Sequence, residues 1–225
     1  MSKSGDKPSR DLALVPKAVV NRLSLYLREL QHLVRNGSET TSSTQLGSLL
    51  GFSDAQVRKD LAYFGQFGYP GIGYRCEELI AAIRQIMGTA RTWPVGLVGT
   101  GNLGRALLGY RGFGEQGFRI VAAFDDDPLK VGTHFGGIRV ESLTKVQPMV
   151  VEKKIKLAIL AVPAAAAQDV ADKLVAAGIE GILNFAPVTI NTPKSVRIVG
   201  VDLAIELEQL SFGVVNRDET RKSKN

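Results

Sequence analysis

The stretch VGLVGTGNLGRALLGY, residues 95–110, constrains the fold of this chain more than any other. A short apolar run, typical of a buried strand, enters Gly99, Gly101 and Gly104 and leaves as a helix. In a strand–loop–helix unit of this spacing, the first glycine permits the tight turn. The second lets the backbone approach a pyrophosphate, and the third lets helix and strand pack closely. The helix N-terminus adds free N–H groups and partial positive charge. Glycine triplets also occur in ordinary turns, so the weight of the motif lies in its surroundings. RIVAAF follows as a second strand and leads to Asp125, about twenty residues beyond Gly104. A carboxylate there accepts hydrogen bonds from the ribose hydroxyls of a dinucleotide and repels a 2′-phosphate. The acidic run FDDDP therefore favours NAD over NADP. Gly99, Thr100, Gly101, Asn102, Leu103, Gly104 and Asp125 are the candidate cofactor residues on this basis.

Beyond this unit, apolar runs of strand length, KLAILAV, GILNF and VRIVGV, alternate with helical stretches. The alternation predicts a mostly parallel sheet covered by helices, an α/β Rossmann domain. The loops expected to close over a nicotinamide lie in AVPAAAAQ and ILNFAPV and place Val162, Pro163, Asn184, Phe185 and Ala186 there. They are chemically quiet. Asn184 can bind a carboxamide, whereas Ala186 and Pro187 can only pack. A dehydrogenase needs a proton donor or acceptor beside the hydride centre. The two histidines, His32 and His134, lie elsewhere, and the sequence has no Tyr-x-x-x-Lys and no cluster of metal ligands. The expectation is binding without turnover.

Composition narrows the class further. One cysteine, Cys76, excludes an internal disulfide and a cysteine-based zinc site, and it fits a reducing cytoplasm. The longest apolar candidate, LAILAVPAAAA, is too short to span a bilayer and is broken by Pro163. The opening MSKSGDKPSR has no apolar signal region, so a cytoplasmic protein is expected. A net charge of +6 suits a polyanionic partner but is common among enzymes too.

The first ninety residues read differently from the rest. Residues 1–13 are expected to be loose, and Pro16 suits a helix start. Val20, Leu23, Leu27, Leu30 and Val34 then form a helical stripe that ends at Asn36-Gly37. Ser42-x-x-Gln45 and Ser53-x-x-Gln56 are both capping boxes, and Gly51-Phe52 can turn between them. Two short helices joined in this way make a helix-turn-helix. In the second, Val57, Leu61 and Phe64 fall on one side at 100° per residue, and Ala55, Arg58, Lys59 and Ala62 on the other. Small alanines flanked by two long cations suit a major groove, where either cation reaches guanine O6 and N7 or a phosphate. Gln56 is ambiguous, because its box would turn it back toward Ser53. FGYPGIGY reads as a glycine-rich wing with Tyr69 at its tip. Ser43, Gln56, Arg58, Lys59 and Tyr69 are the candidate DNA contacts. The expected divisions are a winged-helix domain at 14–89, separated by the linker TARTWP, and a Rossmann domain at 90–201. A late amphipathic helix at 202–215 and a loose tail at 216–225 follow.

Taken jointly, QVRKDLAYFGQFGYPGIGY, VGTGNLGRALLGYRGFG, FDDDPLKVG, GIEGILNFAP and LEQLSFGVVN resemble the Rex family of redox-sensing transcriptional repressors. The resemblance covers residues from about 17 to 215. It implies a homodimer that binds an inverted-repeat operator, releases it on binding NADH, and so reports the NADH/NAD⁺ balance. It also implies that the C-terminal helix DLAIELEQLSFG is swapped between subunits, that Lys130 and Val131 border the adenosine, and that Asn184, Phe185 and Ala186 lie near the nicotinamide. Arg28, Tyr110 and Asp202 match positions whose mutual pairing changes with nucleotide state. Two other readings stand beside it: an NAD-dependent dehydrogenase with an N-terminal helical extension, and a nucleotide-sensing protein that binds another protein through its basic helix.

Overall fold

The computed structural model describes residues 15–222 and divides the chain into two units between Arg91 and Thr92. The expectation for residues 1–13 falls outside the described residues.

The first unit is built on α1 (Lys17–Arg35), with Pro16 at its N-cap position. Its buried face is Val19, Leu23, Tyr26, Leu27, Leu30 and Leu33. That face is rotated from the expected stripe. Val20 stays exposed, while Val19 and the aromatic Tyr26 are buried in its place on the core-facing side. After β1 (Thr40–Thr41) come α2 (Ser43–Leu50) and α3 (Asp54–Ala62). The Oγ atoms of Ser42 and Ser53 accept from the backbone N–H of Gln45 and Gln56, both at 3.1 Å. Both boxes are only half made. The Gln45 side chain instead accepts from the Thr41 hydroxyl, and the Gln56 side chain turns to Asp60. The wing loop is pinned by an antiparallel bridge between Tyr69 and Gly73. It leads into β2 (Tyr74–Arg75), which pairs antiparallel with β1, and then into α4 (Cys76–Ile86). Leu46, Val57, Leu61, Leu79 and Ile83 close the core with α1. This is a winged helix-turn-helix.

The second unit carries a seven-stranded sheet. Its elements run β3 (Trp93–Val98), α5 (Asn102–Leu108), α6 (Gly112–Glu115), β4 (Phe118–Asp125), β5 (His134–Phe135) and β6 (Ile138–Ser142). They continue as α7 (Val146–Glu152), β7 (Leu157–Leu160), α8 (Ala164–Ala176), β8 (Gly181–Asn184), β9 (Arg197–Gly200) and α9 (Leu203–Lys222). The strand order is β5-β6-β4-β3-β7-β8-β9, parallel throughout except for β5. Strand order reverses at β3, with β4 on one side and β7 on the other. In such sheets ligands bind outside the carboxyl ends of the strands at this point.

Three expectations need correction. Trp93 and Pro94 belong to β3 rather than to a linker, because the Trp93 N–H already donates to the Gly117 carbonyl at 2.8 Å. The β5–β6 hairpin and α7 extend the sheet and its cover beyond what the strand runs predict. Residues 216–222 continue α9, so the helix runs into the segment expected to be loose.

Alpha 9 also departs from a one-sided amphipathic helix. Leu203, Leu207, Leu210 and Val214 recur along one line of it, and Ile205 and Phe212 lie on the opposite side at 100° per residue. All six are exposed, Leu207 by 67% and Phe212 by 72%.

Candidate dinucleotide site and nucleic-acid interface

The glycine loop is shaped by close approach. Gly99 has φ +93°, and a Cβ there would lie 2.3 Å from the Ala161 carbonyl oxygen. A Cβ on Gly104 would lie 1.8 Å from the Gly99 carbonyl oxygen, so α5 packs on the loop only through hydrogen. At Gly101 nothing lies within 4 Å of that position. The loop is thus crowded where it meets the sheet and open where a pyrophosphate would rest, which fits a dinucleotide.

Asp125, at the end of β4, is buried. Its Oδ2 accepts from the Thr100 backbone N–H and hydroxyl, both at 2.7 Å, and its Oδ1 accepts from the Asp127 N–H at 3.0 Å. The Lys130 Nζ lies 3.4 Å from Oδ2. Burial opposes the charge, but the N–H groups of Asp127 and Thr100, the Thr100 hydroxyl and Lys130 outweigh it and hold the carboxyl below its ordinary range. The Lys130 and Val131 N–H groups both donate to the Asp127 carbonyl, folding the acidic loop beside Asp125.

Val162, Pro163 and the 184–186 segment also lie at strand C-termini. Val162 packs over Gly99, and Pro163 occupies the N-cap position of α8. Asn184 is engaged within its own loop. Its Nδ2 donates to the carbonyls of Ala186 (3.2 Å) and Val188 (2.9 Å), and its Oδ1 accepts from the Ala186 N–H at 2.9 Å. It braces its own loop and has no free donor for a carboxamide. Phe185 packs into the cluster of Val95, Leu97 and Ile159. A cavity of about 520 Å³ opens alongside, lined by Asn184, Pro187, Val201, Asp202 and Ile205 among others. Asp202 caps α9, its Oδ1 accepting from the Ala204 N–H at 2.9 Å. Tyr110 is exposed and stacks edge-on against Phe113. No hydrogen bond among the described residues joins Tyr110 to Asp202, and Arg28 is exposed on α1 of the first unit. Among the described residues no three His, Cys, Asp or Glu cluster to hold a metal, and no helix is long and apolar enough to cross a membrane.

On the first unit, the outer face of α3 carries exposed Arg58 and Lys59. The Arg58 Nη1 reaches Asp54 at 2.7 Å and the Ser43 hydroxyl at 3.1 Å. Two candidate contacts from different helices are therefore joined. The Tyr69 hydroxyl donates to Glu78 at 2.9 Å while the Arg75 guanidinium lies over its ring. Sequence reading missed Asp60, the fully buried acid of α3. It accepts from Arg22 Nε (2.5 Å) and Nη2 (2.8 Å), the Tyr26 hydroxyl (2.8 Å) and Gln56 Nε2 (2.8 Å). Burial works against this carboxylate, but Arg22, Tyr26 and Gln56 overcome it and hold it below its ordinary range. The available signal was one acid on an otherwise apolar helix face.

A winged helix-turn-helix and a dinucleotide fold in one chain define a class, the two-domain transcriptional regulator with a nucleotide-binding unit. The chain is 48% identical to the redox-sensing transcriptional repressor Rex of Carboxydothermus hydrogenoformans, over 89% of its own length and 96% of the relative's. It belongs to the Rex family, whose members are transcriptional repressors rather than enzymes. The Rex protein of Desulfitobacterium hafniense is 46% identical over 90% of the chain and 97% of the relative. Two family models match, "Putative DNA-binding protein N-terminus" over residues 14–62 and "CoA binding domain" over residues 90–188. Among solved structures, the chain is similar to the Rex-family repressor RSP in complex with β-NAD⁺ and operator DNA, with a TM-score of 0.86. Identity there is 34%, covering 94% of this chain and 97% of that one. RSP in complex with β-NADH gives a TM-score of 0.84 at 33% identity, covering 94% and 99%.

Proposed function

We propose that this chain is a cytoplasmic, redox-sensing transcriptional repressor that binds inverted-repeat operator DNA as a homodimer and lets go when NADH binds. The observation that carries this reading is the joint presence of a cationic α3 face and an acid-terminated glycine loop in a chain so similar to RSP. The nucleotide supplies no bond-making here, only a ring that is planar and cationic in one state and puckered and neutral in the other. Gly99, Thr100, Gly101, Asn102, Leu103 and Gly104 hold the pyrophosphate, Asp125 the ribose, and Lys130 and Val131 the adenosine edge. Val162, Pro163, Phe185 and Ala186 shape the nicotinamide end, with Asn184 fixing their loop. Ser43, Gln56, Arg58, Lys59 and Tyr69 face DNA. The two opposed apolar lines of α9 support a helix sandwiched between two surfaces, as in a subunit swap. Electrophoretic mobility of an inverted-repeat duplex tests the whole: NADH should release it and NAD⁺ should not. A chain that binds no duplex, or is indifferent to NADH, refutes the reading.

Two variants probe its parts. Asp125→Ala should weaken NADH by about 10- to 100-fold, the worth of hydrogen bonds to a charged acceptor, while NADPH loses much less. Calorimetry with both cofactors checks this, and equal wild-type affinity for the two would refute it. In the switch, Arg28, Tyr110 and Asp202 exchange partners as the subunits rotate, so Asp202 contributes to the coupling rather than to nucleotide affinity. Asp202→Ala should raise the NADH concentration needed for half-release of operator by about tenfold, leaving NADH affinity of the DNA-free protein near wild type. An unchanged release curve would reduce Asp202 to the helix cap that it forms.

A further inference from the structure

The network around Asp60 fixes which way one side chain on the DNA-facing helix is turned. An ionised carboxylate can only accept hydrogen bonds. Asp60 is fully buried, and the Gln56 carboxamide lies 2.8 Å from its Oδ1, so the amide must present its NH₂ group to Asp60. With one amide N–H spent on Asp60, the Gln56 carbonyl oxygen is the acceptor left over, on a half-exposed side chain in the first turn of α3. The turn does not depend on that side chain, because Ser53 caps it through the Gln56 backbone N–H. Arg22 and Tyr26, both on α1, hold Asp60 from the other side.

We infer that Gln56 is a base-reading residue whose carbonyl oxygen accepts from the exocyclic amine of adenine or cytosine, with Asp60, Arg22 and Tyr26 as the positioning residues that keep it facing that way. The inference rests on the operator-binding reading above. First-turn residues of the second helix in this motif contact base edges. In the major groove only adenine N6 and cytosine N4 offer donors. Guanine and thymine offer acceptors at the matching sites. A phosphate likewise offers only acceptor oxygens and gives the Gln56 carbonyl nothing. Arg58 and Lys59 on the same helix supply donors, so Gln56 adds the complementary polarity to the reading surface.

The test starts from duplexes selected by the wild-type chain from a randomised pool. Each base pair of the selected site is then permuted, and binding is followed by fluorescence anisotropy. At one symmetry-related pair of positions the wild type should prefer the amino-bearing base by about three- to tenfold, the worth of one hydrogen bond. Gln56→Ala should erase that preference, keep the others and leave the salt slope unchanged. Replacing the base by its analogue without the amine should cost the wild type the same factor and cost Gln56→Ala nothing more. Asp60→Asn frees the amide to turn over and should blunt preference at the same positions with Gln56 intact. A weakened fold would instead lower affinity for all sequences alike. An unchanged permutation profile in Gln56→Ala overturns the inference, as does a uniform loss with a reduced salt slope, which marks a phosphate contact. If the wild type selects no sequence at all, the repressor reading falls as well. Selection by the wild type with an unaltered Gln56→Ala profile removes this inference alone.

Discussion

Leu207→Asp combined with Leu210→Asp is expected to give a folded monomer whose affinity for a full inverted repeat is about 10² to 10⁴ times weaker than wild type. Both leucines lie on one apolar line of α9 and are 67% and 66% exposed. In a lone subunit, exchanging them for aspartate relieves exposed apolar surface and should not harm either unit. In a dimer that sandwiches α9, the same exchange removes about 1.5 to 3 kcal/mol of burial per leucine and puts two carboxylates into the interface. The sign of the effect therefore separates the two arrangements. Once the dimer is lost, the second half-site no longer binds intramolecularly at millimolar effective concentration, which sets the size of the affinity drop. Analytical ultracentrifugation beside anisotropy on full- and half-site duplexes checks it. A variant that stays dimeric with wild-type affinity would place the subunit contact elsewhere.

Asp60→Ala should unfold the winged-helix unit at much lower temperature. Removing one partner of a buried, hydrogen-bonded ion pair costs about 3 to 5 kcal/mol, because the remaining groups lose their counter-charge. The Arg22 side chain keeps 21% of its surface in water, which argues for the lower end. For a unit of this size about 3 kcal/mol corresponds to a fall of roughly 12 to 24 °C in melting midpoint. Hydrogen exchange of the α1 and α3 amides should follow, while β3 and β4 keep their protection. The pH dependence has a fixed sign. Asp60 is held below its ordinary range in the folded state. Its contribution is therefore complete above the unfolded value of roughly 3.9 and is lost as pH falls through the lower folded value. Wild type should lose stability in this unit through acid pH, and Asp60→Ala should show a shallower loss. Equal midpoints at neutral pH would refute the assignment.

What was legible in the sequence was whatever local chemistry decides. The Gly99–Gly104 loop declares itself because backbone approach tolerates no other residue, and Ser42 and Ser53 declare helix starts because a hydroxyl there satisfies an open N–H. Asp60 was not legible, since its meaning depends on Arg22 and Tyr26, more than thirty residues away. Trp93 and Pro94 read as linker because proline argues against a strand, yet Pro94 enters β3 near its start, where one missing donor is tolerated. The far end of α9 read as tail because NRDETRK is polar, although arginine, glutamate and lysine are good helix formers. Asn184 was expected at the end of a strand beside the cofactor, but its role as a loop brace emerges only when the 184–188 turn is seen.

Asp125 grips Thr100 through both a backbone N–H and a hydroxyl without any ligand to help. On the proposed reading, in which Asp125 holds the ribose, the adenosine end of the site is a fixed handle, already set before a nucleotide arrives, and it would take hold of the oxidised and reduced forms alike. Two ligands that share a handle compete for every vacancy. When their combined concentration exceeds what fills the site, occupancy by one depends on its share of the pool rather than on its amount. On that reading, a protein built this way answers to the reduced share of its dinucleotide pool rather than to the size of the pool.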